Sequence, residues 1–184
     1  MGGVIEDDLY HASISTARAR FSWLVVNLLT AILASMVIGI FDATIEQVVA
    51  LAVLMPIVAS MGGNAGTQTL TVTVRALATK ELTGANAYRV ITKEVIVGCF
   101  NGVAFAILSG LVAWLWFQSA TLGMVIASAM VINMVIAGLA GTTIPIMLDK
   151  AGADPAIASS VFLTTVTDVV GFFAFLGLAA LVLL

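Results

Sequence analysis

Apolar residues fall into long runs separated by short polar clusters, and the run lengths predict the architecture. Residues 21–41 carry no charge, the length that a helix needs to cross a hydrocarbon core about 30 Å thick. Residues 47–74 form a longer uncharged run, interrupted by Pro56 and by Gly62-Gly63-Asn64-Ala65-Gly66, so tilt, a kink or a break is expected to absorb the excess. Within it, residues 67–74 alternate polar and apolar as a strand does. An isolated strand in lipid leaves its backbone groups without partners, so helix is predicted there instead. Residues 95–148 are too many for one span and divide at Gln118-Ser119-Ala120-Thr121 into a hairpin of two helices. A last segment, residues 155–184, follows Asp154 as N-cap and Pro155 at the first helical position. Five membrane-spanning helices are therefore expected, an all-α integral membrane fold. Polar clusters at Asp42 to Glu46 and from Arg75 to Glu94 serve as loops, the second turning at residues 82–86.

Small residues mark where these helices should meet. Gly98, Gly102, Ala106 and Gly110 recur every four residues on the third span, and Asn133, Ala137, Gly141 and Pro145 do so on the fourth. Such seams let helix backbones approach closely.

Composition agrees with a membrane protein: 61% of the 184 residues are hydrophobic, 9% are charged, and mean hydropathy is +1.17. The net charge of −3 matters less than the distribution of cations. Arg18 and Arg20 precede the first span, Arg75, Lys80, Arg89 and Lys93 lie between the second and third, and Lys150 lies between the fourth and fifth. All seven fall on one side. The positive-inside rule then puts the N-terminus in the cytoplasm and the C-terminus outside, the arrangement that five spans require. One cysteine and one histidine exclude a zinc cluster or an intrachain disulfide. Cys99 is expected to pack between helices, and His11 and Glu6-Asp7-Asp8 to sit in a solvated leader.

Candidate chemistry concentrates on two spans. Asp168 has thirteen uncharged residues before it, back to Pro155, and sixteen after it, so it belongs near the bilayer midplane. A carboxylate there costs about 2.5–3.5 kcal/mol on insertion scales and normally faces a partner or a water-filled path. Thr164, Thr165 and Gly171, at i−4, i−3 and i+3, share its face. The second span contributes Ser60, Asn64, Thr67, Gln68 and Thr71. Two readings follow. The stripe around Asp168 lines a cation path, or a neutral Asp168 hydrogen-bonds Asn101 or Asn133 as polar glue within a bundle. Magnesium prefers oxygen ligands and keeps its water, so a path for it would hold the hydrated ion. Two facing copies of Asp168 would balance its charge.

The run Pro56-Ile57-Val58-Ala59-Ser60-Met61-Gly62-Gly63-Asn64-Ala65-Gly66-Thr67-Gln68, with Val74-Arg75-Ala76-Leu77-Ala78 after it, resembles the second-helix signature of the MgtE family of magnesium channels. Thr164-Thr165-Val166-Thr167-Asp168-Val169-Val170-Gly171-Phe172-Phe173 resembles that family's fifth helix. The resemblance implies a homodimer in the cell membrane with a pore on its two-fold axis, lined by the second and fifth spans. Asp168 would then bind hydrated Mg2+, and Asn64, Gln68 and Thr71 would be pore or motif residues. Gly62, Gly63 and Gly66 would permit bending and close packing. Family members also carry a cytosolic magnesium sensor. Val4-Ile5-Glu6-Asp7-Asp8 is similar to the end of its CBS region, so residues 1–20 are expected to be a cytoplasmic leader and 21–184 the pore domain.

The expected function is passive conduction of Mg2+, with Mn2+, Co2+ and Ni2+ as further cargo for hard oxygen ligands. A proton- or sodium-coupled divalent cation transporter is the alternative, with Asp168 as the coupling site. Neither Gly-x-Gly-Asp nor His-Glu-x-x-His occurs, so catalysis is not expected, and no nucleic-acid partner is expected.

Overall fold

The computed structural model describes residues 13–184, and the expectations for Val4 to Asp8 and His11 lie outside them. At the centre stands α5 (Ala120–Lys150), with 56% of its spanning window buried. Around it pack α3 (Ala50–Ala78), α4 (Ala87–Phe117) and α6 (Pro155–Leu183). The remaining long helix, α1 (Ser13–Gly39), leans chiefly on α6, and only 6% of its window is buried. These five are long and apolar enough to cross a membrane. A one-and-a-half-turn helix, α2 (Asp42–Gln47), joins α1 to α3 where the sequence suggested a plain turn; Asp42 Oδ1 accepts from the Ala43 N–H at 2.6 Å.

Close approaches fix the helix directions. A methyl group placed on Gly98 of α4 would lie 2.7 Å from the Met134 carbonyl oxygen of α5, and one on Gly110 would lie 2.9 Å from the Gly123 oxygen. Rising numbers on one helix thus meet falling numbers on the other, and α4 and α5 are antiparallel. The α4 seam read from the sequence is this interface: Gly98, Gly102 and Ala106 are buried, with Gly98 and Gly102 against Val131, Met134 and Val135 of α5, whereas the seam read on α5 is also buried but turns Asn133 and Gly141 toward α3. By the same test α3 runs parallel to α5, since Gly62 meets Asn133 and Gly66 meets Gly141. Phe41 packs edge-on against Phe173 with ring centroids 5.7 Å apart, while Trp23 lines a cleft with Ser160, so α1 is parallel to α6. Lys80, Lys150 and the start of α1 consequently share one end of the bundle.

The helix ends explain several boundaries. Gln118 takes a left-handed conformation (φ 52°), and Ser119 Oγ accepts from the Leu122 N–H at 3.2 Å to start α5. Asp154 Oδ1 caps α6 through the Ala156 N–H at 2.8 Å, with Pro155 at the first position as read from the sequence. Residues 82–86 do form the turn between α3 and α4, held by Asn86 Oδ1 accepting from the Thr83 N–H at 2.8 Å. The flanks of the expected 75–94 loop, residues 75–78 and 87–94, are helical: Arg75 belongs to α3 and Arg89, Lys93 and Glu94 to α4. Charge does not end a helix at the membrane surface, because long cationic side chains reach water while the backbone ladder continues.

No glycine break interrupts α3, which is continuous from Ala50 to Ala78 through Pro56 and the Gly62–Gly66 stretch. The alternating residues 67–74 are helical, as the lipid argument required. Cys99 is exposed on the outer face of α4 rather than packed against another helix of the chain.

Candidate functional site

On α3, Leu51, Leu54, Val58, Gly62, Gly66, Leu70 and Thr73 recur every three or four residues and are buried, which turns the opposite face outward. That outward face is polar. Ser60, Asn64, Thr67 and Thr71 are exposed along it, and Asn64 Nδ2 donates to Ser60 Oγ at 3.3 Å. Thr67 Oγ1 donates to the Gly63 carbonyl at 2.7 Å and Thr71 Oγ1 to the Thr67 carbonyl at 2.8 Å. The two threonine bonds satisfy those hydroxyl protons within the helix and leave the threonine oxygen lone pairs free. Gly63 sits in the same face with nothing within 4 Å of a methyl group placed on it.

On α6, Ser159, Leu163, Thr167, Gly171, Phe175 and Ala179 are buried at every fourth position. Asp168 follows one residue behind this ridge and is partly exposed. Among the described residues it has no hydrogen-bond or ion-pair partner. Asn133, one suggested partner, donates instead to the Val58 carbonyl at 2.9 Å, and Asn101, the other, is exposed on α4. Thr165 Oγ1 donates to the Val161 carbonyl at 2.7 Å, and Thr164 Oγ1 to the Ser160 and Val161 carbonyls at 3.0 and 3.1 Å. Thr164 lines a cleft of about 220 Å³ with Trp23 and Asn27 of α1.

The glycines separate into two kinds. Gly62 and Gly171 both face Asn133, one from each side, and Gly66 meets Leu163 at 2.8 Å from the position of a methyl group. These three bring α3, α5 and α6 together, whereas Gly63 stands open. Gln68 turns away from the outer stripe into a cavity of about 130 Å³ between α3, α4 and α5, beside Asn101 and Glu94.

Two features were missed in the sequence. Glu94 Oε2 accepts from Thr69 Oγ1 at 3.1 Å, a direct tie between α3 and α4, while Lys93 Nζ lies 3.6 Å from Glu94 Oε1. Its signal was an acid bordering the uncharged run that begins at residue 95. Asn133 was read as one member of a packing seam, but it is the wedge on which three helices converge, and its Oδ1 is buried without a partner. A large amide inside a row of alanine and glycine was the available clue.

Among the described residues no three His, Cys, Asp or Glu side chains converge to hold a metal ion. One copy of the chain therefore presents a partly exposed carboxylate and two hydroxyl-bearing helix faces rather than a metal cage.

A bundle of five helices long and apolar enough to cross a membrane defines an integral membrane protein. The family model for divalent cation transporters, MgtE, matches residues 55–178, and the chain belongs to that family. Among curated relatives, the magnesium transporter MgtE of Bacillus subtilis is 37% identical over 89% of this chain and 36% of its own length. The Enterococcus faecalis magnesium transporter MgtE is 32% identical over 98% of the chain and 40% of its own, and that of Thermus thermophilus 33% over 100% and 41%. The chain thus spans about two fifths of the curated relatives it matches.

Proposed function

We propose that this chain is the pore-forming unit of a magnesium channel, residues 21–184, in which two copies face each other and hydrated Mg2+ passes between them. The observation that carries the reading is Asp168: a partly exposed carboxylate deep in a spanning helix, without a partner among the described residues, in a family of divalent cation transporters. An acid so placed needs water and a counter-ion.

Mg2+ binds oxygen at about 2.0–2.1 Å and dehydrates reluctantly. Asp168 therefore acts best through the ion's own water, accepting hydrogen bonds from the hydration shell. A second Asp168 from the partner copy makes two negative charges against two positive ones. The outward oxygens of Ser60, Asn64, Thr67 and Thr71 on α3, and of Thr165 on α6, continue the same water-bearing surface. With the cationic end of the bundle in the cytoplasm, an inside-negative potential drives entry. It contributes about 2.3 kcal/mol per charge per 100 mV, and twice that for Mg2+, so no coupled ion is needed.

The test is Mg2+ uptake into potassium-loaded liposomes under an inside-negative potential, comparing wild type with Asp168→Asn and Asp168→Ala. Asparagine keeps the size and removes the charge. Voltage-dependent uptake that both substitutions abolish, with oligomeric state unchanged, supports the reading. Undiminished uptake in both variants overturns Asp168 as the site, and dependence on a proton or sodium gradient at fixed voltage overturns passive conduction.

A further inference from the structure

The outer face of α4 carries a groove that the transport reading does not use. It lies between two i, i+4 rows of side chains, Tyr88-Thr92-Ile96-Phe100 and Arg89-Lys93-Val97, and is an open furrow of about 520 Å³. One end is cationic and the other apolar. Arg89 has no ion pair with any described residue, and Lys93, 70% exposed, shares Glu94 at 3.6 Å while Glu94 also accepts from Thr69. Tyr88, Ile96, Val97 and Phe100 are all exposed, Phe100 by 74%. At 1.5 Å per residue, Arg89 and Phe100 are about 16 Å apart along the axis, roughly half of a 30 Å hydrocarbon core. The groove is one leaflet deep.

We propose that this groove binds an anionic phospholipid of the leaflet at the cationic end of the bundle. The phosphate sits between the Arg89 guanidinium and the Lys93 ammonium, and one acyl chain lies in the furrow that Ile96, Val97 and Phe100 border. Arg89 supplies the planar fork that suits phosphate, and Lys93 supplies a point charge. The apolar half would accept any lipid tail. The two cations select the headgroup.

Native mass spectrometry of the purified full chain in detergent tests this, titrating phosphatidylglycerol against phosphatidylcholine. Each cation near a membrane surface is worth about a fivefold factor in binding an anionic lipid, so Arg89→Gln and Lys93→Gln each lose about that, and the double variant loses about thirtyfold. Lys80→Gln with Lys150→Gln removes the same charge from the same end but outside the groove, and leaves phosphatidylglycerol binding within about threefold of wild type. Phe100→Ala weakens both lipids by a common factor, because it removes tail contact and no charge. Equal losses in the groove pair and the control pair would mean diffuse attraction and overturn the site. So would equal wild-type affinity for the two lipids, or groove substitutions that change the dimer fraction without changing lipid binding.

Discussion

Replacing Gly62 by alanine tests the convergence of three helices on one amide. A methyl group at Gly62 would overlap Asn133 Nδ2 and lie 2.7 Å from its Cγ and 2.9 Å from its Oδ1. Asn133 cannot retreat, because on its far side a methyl position on Gly171 is already 2.6 Å from Nδ2 and 3.0 Å from Cγ. The interface must open by close to an ångström, or the amide must turn and lose its 2.9 Å bond to the Val58 carbonyl. Overpacking of this kind costs about 1–3 kcal/mol, and three contacts below 3 Å argue for the upper end. Loss of an interhelical hydrogen bond in a membrane adds about 0.6 kcal/mol. Alanine's better helix propensity offsets about 1 kcal/mol. The expected net destabilisation is about 2–3 kcal/mol. Reversible unfolding in mixed detergent micelles, followed through Trp23, Trp114 and Trp116, measures it. Asn133→Ala removes the clashing atoms, so the double variant should recover at least about 1 kcal/mol relative to additivity. A Gly62→Ala protein within about 0.5 kcal/mol of wild type, or a strictly additive pair, would refute the wedge.

Two further expectations follow from neighbouring features. Gly63→Ala, one residue away in open space, should leave unfolding unchanged or raise stability by up to about 1 kcal/mol, yet reduce Mg2+ flux if the outward face of α3 lines the path. Flux measured beside unfolding separates the two effects. Asp154→Ala removes the acceptor for the Ala156 N–H at the start of α6 and should cost about 1 kcal/mol in the same unfolding assay, whereas Asp154→Asn or Asp154→Ser, which keep a capping oxygen, should stay close to wild type.

The spanning architecture was legible because lipid leaves few choices: charge-free runs of sufficient length become helices, and the alternating residues 67–74 had no other way to satisfy their backbone. The break at residues 118–121, the Asp154 cap and the small-residue seam of α4 were equally readable, since each depends on residues close in sequence or on a strict repeat, although Ser119 was not singled out as the cap of α5. Helix ends were read less well. Arg75, Arg89, Lys93 and Glu94 were assigned to a loop by charge, but a helix can run past the hydrocarbon edge into water. The outward stripe of α3 was named residue by residue, whereas the burial of Gly62 and Gly171 and the placement of Gln68 beside Glu94 and Asn101 depend on helix rotation that a shared wheel position leaves open. Asn133 escaped for the same reason: its role arises from two glycines on two other helices, 71 and 38 residues away in sequence.

The pairing of α1 with α6 bears on how the protein is made. The first described helix to leave the ribosome finds its main neighbour in the last one, after α3, α4 and α5 have been synthesised. Until then α1 must stand alone in lipid. Its mean hydropathy of 2.1 across the spanning window suits that wait, since almost its whole surface can face acyl chains without cost. Docking of α1 is thus the most sequence-distant helix pairing in the chain, and it is the step of assembly that an interrupted or truncated synthesis would leave undone.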